Sequence, residues 1–278
     1  MRSEARVASC RKPEEAHLDL SGSQIIVTGV ASGIGMAIAV DLKRRGAAVV
    51  GIDLAPSDMA DVHHQADLSD PAQIDALVDR VDPGCNGLCN VAGVPPSAPA
   101  ETVLALNAKG LQHLTLGLVP RLADGASIVN IASSAGMGWA KSADALRLFD
   151  SVPFEHAALQ AFAAENELLE AGASYFFSKE FVITWTMRNR WTWRDRGIRM
   201  NCVSPGPVDT PALRHFIETL GRARRVMDLM DRPGRPEEIA PVVAFLLSEE
   251  SDWIRGANIP VDGGLTSHLA LEQLGMGG

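Results

Sequence analysis

The sequence predicts an α/β domain whose core is a parallel, doubly wound sheet, and three observations lead to this fold class. The apolar run at residues 24–28 is rich in β-branched side chains, which is typical of a buried strand. A glycine-rich turn and an alanine-rich segment with helical spacing follow it directly. Strand and helix patterns then alternate along the chain, and 278 residues with 46% hydrophobic content suit one domain with a large core.

Each predicted element follows from its local pattern. The helix over 36–45 stops at Gly46, because glycine favours helix ends, and a second helix spans about 101–119. A long helix later in the chain carries Tyr175. Short apolar runs predict the strands at residues 24–28, 48–52, 87–91, 127–131, 198–203 and 258–261. Such alternation places the functional site at the carboxyl edge of the sheet.

The turn after the first strand suggests a dinucleotide site. Its glycines, which end at Gly35, let the main chain approach a pyrophosphate, and the following helix N-terminus offers free N–H groups. The second strand ends in Asp53, 18 residues after Gly35, where a carboxylate accepts ribose hydroxyls and repels a 2′-phosphate. Neither Ser32 nor Leu54 supplies a cation. These features indicate a Rossmann-type NAD site rather than an NADP site; the alternative is an ordinary strand-to-helix loop.

Tyr175 is the only tyrosine of the chain, and it stands four positions before Lys179. On a helix these positions share one face, so we expect the ammonium to lie near the phenol and to lower its pKa. A free phenol, with a pKa of about 10, is a poor base at neutral pH. A phenol with a lower pKa can serve as a general acid/base. The alternative is an exposed tyrosine and lysine that share a helix face by accident.

Several further motifs occur in a fixed order, and with those above they resemble the short-chain dehydrogenase/reductase family from about residue 18 to residue 264. They are T-G-x-x-x-G-x-G from Thr28 to Gly35, Asp67, N-V-A-G from Asn90 to Gly93, Asn107, the serine pair Ser133 and Ser134, P-G at Pro205 and Gly206, and V-D-G-G from Val261 to Gly264. The N-V-A-G element departs from the family pattern, because Val91 stands where asparagine is commoner. The resemblance implies an enzyme that uses a nicotinamide cofactor.

The resemblance also assigns roles to individual residues. Tyr175 would take the proton from a substrate hydroxyl, and Lys179 would also contact the nicotinamide ribose. In the family's register Ser134 would hold the substrate oxygen. Asn107 would position a water in the proton relay to Lys179. The residues expected to contact NAD are Gly29, Ser32, Gly33, Ile34, Gly35, Asp53, Asp67, Leu68, Asn90, Ala92, Gly93, Tyr175, Lys179, Pro205, Gly206, Val208 and Thr210.

The main departure from the family is a helical insertion, about residues 139–171, before the catalytic tyrosine. Because of the insertion, Tyr175 follows Ser134 by 41 residues. In this feature the chain resembles the bacterial 3α-hydroxysteroid dehydrogenase and coniferyl-alcohol dehydrogenase branch of the family. Two interpretations stay open with equal weight. The insertion forms an apolar wall of the substrate pocket, or it packs against the body or blocks a subunit contact. By the same resemblance, about residues 208–232 form the substrate loop; a core helix is the alternative.

Composition excludes several classes of partner. A formal charge of −9 argues against a nucleic-acid partner, and no apolar run reaches the roughly 20 residues that span a bilayer. The four cysteines include no C-x-x-C pair, and adjacent His63 and His64 are expected in a solvated loop, so we expect no metal site and a reducing cytoplasm. We expect residues 18–278 to form one domain and the polar residues 1–17 to be a disordered or misassigned leader.

The sequence therefore predicts an NAD-dependent oxidoreductase that interconverts a bulky apolar alcohol, hydroxysteroid-like or aryl-allylic, with its ketone or aldehyde. The resemblance implies a homodimer or homotetramer. The second interpretation is a carbonyl reductase that works mainly in the reductive direction. The third interpretation is a non-catalytic dinucleotide-sensing protein on the same fold. Such a protein need not keep four catalytic residues together, so the joint presence of Asn107, Ser134, Tyr175 and Lys179 weighs against it.

Overall fold

The computed structural model describes residues 18–170, 172–219 and 226–276, so the predicted leader lies outside the described residues. Seven parallel strands form one sheet in the order β3-β2-β1-β4-β5-β6-β7. The strands are β1 (Gln24–Thr28), β2 (Ala48–Asp53), β3 (Val62–Gln65), β4 (Cys85–Asn90), β5 (Leu122–Ile131), β6 (Arg199–Pro205) and β7 (Asn258–Val261). The strand order reverses between β1 and β4, and ligands of such sheets bind at the carboxyl ends of the strands at this point. The predicted fold class is confirmed.

Helices cover both faces of the sheet. They are α1 (Gly33–Arg44), α2 (Pro71–Arg80), α3 (Ala100–Leu104), α4 (Leu111–Leu118), α5 (Ala143–Phe149), α6 (His156–Glu165), α7 (Ala173–Arg188), α8 (Pro211–Thr219), α9 (Pro236–Leu247) and α10 (Leu265–Gln273). On one face, α1 and α9 bury residues such as Ile38 and Val243. On the other, α2, α4 and α7 bury residues such as Leu77, Leu114 and Phe181. Among the described helices, none is both long and apolar enough to cross a membrane.

Two elements differ from the sequence-based expectation. The short edge strand β3 contains His63 and His64, so the predicted solvated loop at this pair is wrong. Polar side chains at an edge strand give no apolar pattern, which is why the sequence does not predict β3. The predicted helix over 101–119 is interrupted between α3 and α4 by a π-helical turn, Ala105–Gly110. A Cβ at Gly110 would lie 1.9 Å from the Leu68 carbonyl oxygen, so this turn needs glycine to pack there.

The insertion folds back onto the body of the domain. Its helices α5 and α6 contact α7 and α3 respectively. The Phe149 ring is fully buried, with ring-centroid distances of 5.1 Å to Phe162, 5.3 Å to Phe177 and 5.0 Å to Phe181. Since Phe177 and Phe181 belong to α7, the insertion and the helix that carries Tyr175 share one aromatic core.

We expect Phe149→Ala to lower the free energy of unfolding by about 3–5 kcal/mol, because it leaves a cavity among three rings. Leu148→Ala is the matched control, since the Leu148 side chain is 61% exposed, and we expect it to change the free energy by less than about 0.5 kcal/mol. Denaturant unfolding of both variants measures the difference. Equal effects of the two substitutions would show that the insertion is not part of the core.

Candidate active site

The glycine turn is locked to the loop after β4. The Thr28 hydroxyl accepts hydrogen bonds from the main-chain N–H groups of Val91 at 2.8 Å and Ala92 at 2.9 Å. Gly29 has φ +69°, and a Cβ there would lie 3.0 Å from Ala92 main-chain atoms. At Gly35 a Cβ would lie 2.0 Å from the Gly29 carbonyl oxygen. These close approaches explain why the turn needs glycines, and they leave its outer side open.

The glycines of the turn line a cavity of about 370 Å³ at the point where the strand order reverses. No side chain caps the first turn of α1, so its N–H groups are available to an anion. The cavity brings together these predicted cofactor residues: Gly29, Ser32, Gly33, Ile34, Gly35, Asp53, Asp67, Leu68, Ala92, Gly93, Tyr175, Lys179 and Thr210. Its lining glycines, the N-terminus of α1 and the carboxylate at the end of β2 fit a dinucleotide.

Two carboxylates hold fixed positions on this cavity. Asp53 accepts hydrogen bonds from the main-chain N–H of Ala31 at 2.9 Å and of Ala55 at 3.0 Å. Asp67 accepts hydrogen bonds from the Ser69 main chain at 2.8 Å and the Ser69 hydroxyl at 2.7 Å. Because main-chain donors orient the Asp53 carboxylate, its charge faces any ligand at the end of β2 with little freedom to move away.

Tyr175 and Lys179 lie one turn apart on α7, and both are buried. The Lys179 ammonium donates a hydrogen bond to the Ile131 carbonyl oxygen at 3.0 Å and lies 5.6 Å from the centroid of the Tyr175 ring. Burial lowers the pKa of Lys179 to about 8. The side chains therefore share one face of the helix, as the spacing predicts.

The predicted lowering of the Tyr175 pKa is wrong for this structure. Burial raises the pKa of Tyr175 to about 12, and a hydrogen bond from the Ser133 side chain lowers it only in part. The lysine does not offset the burial, since its ammonium is directed to a main-chain carbonyl and is itself desolvated. Burial therefore favours the protonated phenol at Tyr175.

Both serines of the pair line a cavity together with Tyr175. The sequence register assigns the oxygen-holding role to Ser134, but Ser133 is the serine whose side chain lowers the pKa of Tyr175 by hydrogen bonding. The Ser133 side chain also accepts a hydrogen bond from the Ala135 N–H at 3.1 Å, which fixes it at the start of the 3-10 segment Ser134–Ser142. These two observations favour Ser133 for the role, and the two adjacent hydroxyls are compared by substitution below.

Two predicted asparagines use their side chains elsewhere. Asn107 lies in the π-helical turn, and its amide accepts from the Val94 N–H at 2.8 Å and donates to the Val94 carbonyl at 3.0 Å. Asn90 is buried and donates to Thr115 and Asn130, each at 2.8 Å. The Asn90 side chain therefore joins β4 to α4 and β5, and Asn90 is not among the residues that line the 370 Å³ cavity.

A second cavity, about 300 Å³, meets the first at Tyr175. Ser133, Ser134 and the predicted residues Pro205, Gly206, Val208 and Thr210 line it, and Thr210 lines both cavities. Further apolar walls come from Ile34, Phe176, Ala212, Leu213, Phe216, Val226, Met227, Leu265 and Leu269. Seven described residues of the predicted substrate loop thus line this cavity: Val208, Thr210, Ala212, Leu213, Phe216, Val226 and Met227. No charged side chain is among the described residues that line it.

Two features of this cavity differ from the expectation. None of the described insertion residues, 139–170, lines it, so the predicted apolar wall from the insertion is wrong. Most apolar side chains of the insertion belong instead to the hydrophobic core that includes α7, as the alternative interpretation holds. Leu265 and Leu269 of α10 line the cavity without having been predicted. Their spacing of one helical turn, after the V-D-G-G motif, is the signal that identifies them.

Two family models and several known proteins are similar to this chain. Residues 23–143 match the family described as short chain dehydrogenase, and residues 158–266 match the one described as Enoyl-(Acyl carrier protein) reductase. The coniferyl-alcohol dehydrogenase of Pseudomonas sp. (strain HR199 / DSM 7063) is 40% identical over 90% of this chain and 99% of its own. The 3-alpha-hydroxysteroid dehydrogenase/carbonyl reductase of Comamonas testosteroni is 28% identical over 87% of this chain and 96% of its own.

A solved structure of a dehydrogenase is also similar to this chain. The 3-alpha-hydroxysteroid dehydrogenase from Pseudomonas sp. B-0831, complexed with NADH, superposes with a TM-score of 0.77 at 32% identity, covering 89% of this chain and 98% of that chain. The chain belongs to the short-chain dehydrogenase/reductase family. It is therefore an oxidoreductase that binds a nicotinamide dinucleotide and acts on small-molecule alcohols or carbonyl compounds.

Proposed function

We propose that the chain is an NAD-dependent oxidoreductase that interconverts a bulky, largely apolar alcohol, hydroxysteroid-like or aryl-allylic, with its carbonyl compound. One observation carries the proposal: Tyr175, close to Ser133 and Lys179, lies where the cavity beside the glycine turn meets an uncharged apolar one. A reaction between a nicotinamide cofactor and an apolar substrate needs such a junction.

The roles of the residues follow from their positions. Tyr175 exchanges the proton with the substrate oxygen, and Ser133 orients that oxygen by hydrogen bonding where negative charge develops. Lys179, whose ammonium lies 5.6 Å from the centroid of the Tyr175 ring, would contact the nicotinamide ribose and relay the proton, while Asn107 fixes the Val94 loop beside the cofactor cavity. NAD supplies the hydride acceptor, and its reduced form the hydride donor. Gly29, Gly35 and Asp53 shape and charge the cavity that would hold it.

The substrate class is inferred from the apolar cavity. Its volume is at the lower end of the range for small-molecule sites, roughly 300–1,000 Å³. A charged substrate would lose its hydration there without gaining a counter-ion from the described lining. The relatives named for coniferyl alcohol and 3-alpha-hydroxysteroids suggest where to begin.

The test is a panel of alcohols with NAD⁺, read as NADH formation. The panel contains aryl-allylic alcohols such as coniferyl alcohol, 3α-hydroxysteroids, cyclohexanol as a small control, and a hydroxy acid as a charged control. We expect kcat/KM for at least one bulky neutral alcohol to exceed that of both controls by about a hundredfold. Preference for the hydroxy acid, or for cyclohexanol, would contradict the proposed substrate class.

A second candidate function is a carbonyl reductase that works mainly in the reductive direction, an activity that the name of the Comamonas testosteroni relative includes. Burial raises the pKa of Tyr175 to about 12, so at neutral pH its phenol already carries the proton that reduction requires. Oxidation instead requires the phenolate, which is a minor form at that pH.

The two directions should therefore respond differently to pH. From about pH 6 to about pH 8, below the lowered pKa of Lys179, the ionised fraction of Tyr175 rises about tenfold per pH unit. We expect kcat/KM for alcohol oxidation to rise with pH over this window and kcat/KM for carbonyl reduction to stay nearly flat. Initial rates in both directions provide the measurement. A flat oxidation profile would exclude Tyr175 as the titrating base.

We also predict a cofactor preference set by Asp53. Its oriented carboxylate would accept ribose hydroxyls and repel a 2′-phosphate, so we expect kcat/KM for NAD⁺ to exceed that for NADP⁺ by about a hundredfold, on the scale of charge-assisted hydrogen bonds. Asp53→Asn keeps the shape of the side chain but removes its charge. We therefore expect this variant to have a smaller ratio of kcat/KM for NAD⁺ to kcat/KM for NADP⁺. Equal or better use of NADP⁺ by the unmodified protein would refute this assignment.

The surroundings of the enzyme are also part of the proposal. We propose that residues 18–278 act as one catalytic domain, that the protein assembles as a homodimer or homotetramer, and that it works in the cytoplasm. Light scattering during size-exclusion chromatography tests the assembly, with a monomer as the contradicting result.

A further inference from the structure

Lys109 is a buried cation outside the proposed catalytic group. Only 4% of its surface is exposed, and its ammonium donates a hydrogen bond to the Asp150 main-chain oxygen at 3.2 Å. The same ammonium lies 4.7 Å from the centroid of the Phe149 ring, within the range of a cation–π contact. Phe149 and Asp150 both belong to the insertion, so Lys109 connects the insertion to the π-helical turn.

The charge of Lys109 depends on these two contacts. No carboxylate pairs with its ammonium among the residues that the structure describes, because the Asp150 carboxylate is engaged by Arg188. Burial lowers the pKa of Lys109 to about 8, although the nearby Asp150 charge raises it. A desolvated ammonium in this state is stabilised chiefly by the ring face and the carbonyl, so it holds both in place.

The turn that contains Lys109 also contains Asn107, two residues earlier. Asn107 makes two hydrogen bonds to Val94, in the loop beside the cofactor cavity. The π-helical turn therefore makes contacts in two directions. Asn107 connects it to the loop beside the cofactor cavity, and Lys109 connects it to the insertion. A π-helical turn is a rare, irregular element within a helix, so its geometry depends on such contacts.

The insertion contacts the other half of the site as well. The Phe149 ring that faces Lys109 packs on Phe177 and Phe181 of α7. Those rings are two residues beyond Tyr175 and Lys179 respectively, on the side of the helix that faces the aromatic core. Phe149 thus stands between the turn with Asn107 and the helix with the tyrosine and lysine.

We propose that Lys109 is a positioning residue: through Phe149 and Asp150 it clamps the π-helical turn to the insertion and sets the distance between Asn107 and the helix that carries Tyr175 and Lys179. The insertion then supports the active site from behind. The inference rests on the proposed function, since its main readout is turnover.

The test compares Lys109→Met and Lys109→Arg with Arg188→Met as the matched control, which breaks the ion pair of Asp150 with α7 but leaves the ammonium contacts. Small displacements of catalytic groups can cost up to about a hundredfold in rate. We expect Lys109→Met to lower kcat about tenfold or more with the KM for the cofactor nearly unchanged. Lys109→Arg should restore most of kcat, and Arg188→Met should keep it.

Phe149→Leu provides a second route if Lys109→Met does not fold, because it removes the ring face but keeps apolar bulk. It should lower kcat selectively in the same way. Hydrogen exchange adds a direct readout: the Asn107 turn should exchange faster in Lys109→Met than in Arg188→Met. Unchanged kcat in both Lys109→Met and Phe149→Leu, or equal loss in Arg188→Met, would overturn the positioning role. Absence of turnover in the unmodified protein would instead refute the proposed function.

Discussion

Tyr175→Phe should lower kcat by about 10²–10⁴-fold, the range that general acid/base groups contribute. The substitution removes one hydroxyl and keeps the ring, which packs against Phe216 at a centroid distance of 4.8 Å. The fold and the cofactor cavity should therefore remain. Steady-state kinetics in both directions measure the loss, and no other tyrosine can take over the role because the chain has only one.

Two controls accompany this variant. The Kd for NADH, measured by fluorescence, should stay within about threefold of that of the unmodified protein. This measurement reports binding of the cofactor in the ground state and does not depend on the proton transfer. The melting temperature should fall by no more than a few degrees, because the ring keeps its packing against Phe216 and only one hydroxyl is lost. Turnover close to that of the unmodified protein would show that another group exchanges the proton.

Ser133→Ala should have the second-largest effect, a loss in kcat of about 10²–10³-fold, as for other donors that stabilise a developing oxyanion. Ser134→Ala is its matched control, because the residue is adjacent and lines the same cavity. We expect Ser134→Ala to stay within about threefold of normal turnover. The pair is compared under identical conditions with the best alcohol of the panel.

The effect of each serine substitution on stability has to be measured separately from its effect on turnover. Ser133 also accepts the Ala135 N–H at the start of a 3-10 segment, so Ser133→Ala should cost roughly 1 kcal/mol of stability. Ser133→Thr keeps a hydroxyl and should recover part of kcat. A large loss in Ser134→Ala with a small one in Ser133→Ala would return the role to Ser134, as the family register has it.

Much of the fold was predictable because its signals are local. Gln24–Thr28 and Asn258–Val261 form strands with the predicted bounds, since a short apolar run between turn residues has few alternatives. The cofactor cavity was predictable for the same reason: a strand, a glycine turn and a helix define it, and Asp53 lies at the end of the next strand. The spacing of Tyr175 and Lys179 likewise depends only on helical geometry.

What the sequence does not predict depends on contacts between distant segments. The insertion is apolar in either interpretation, and only the packing of Phe149 on Phe177 and Phe181 decides which face of the domain it covers. The pKa of Tyr175 depends on how deeply the phenol is buried and on where the lysine is directed, neither of which spacing reveals. The choice between two adjacent serines depends on the path of the chain after β5.

The most direct test of the account follows the hydride itself. The unmodified protein is incubated with NAD⁺ and the alcohol of highest kcat/KM in the panel, deuterated at its carbinol carbon, and the NADH is analysed by mass spectrometry. We predict that the deuterium appears in the NADH and the carbonyl compound accumulates in equal amount, and that Tyr175→Phe abolishes both. NADH without deuterium, or no NADH from any bulky neutral alcohol, would contradict the proposed oxidoreductase function.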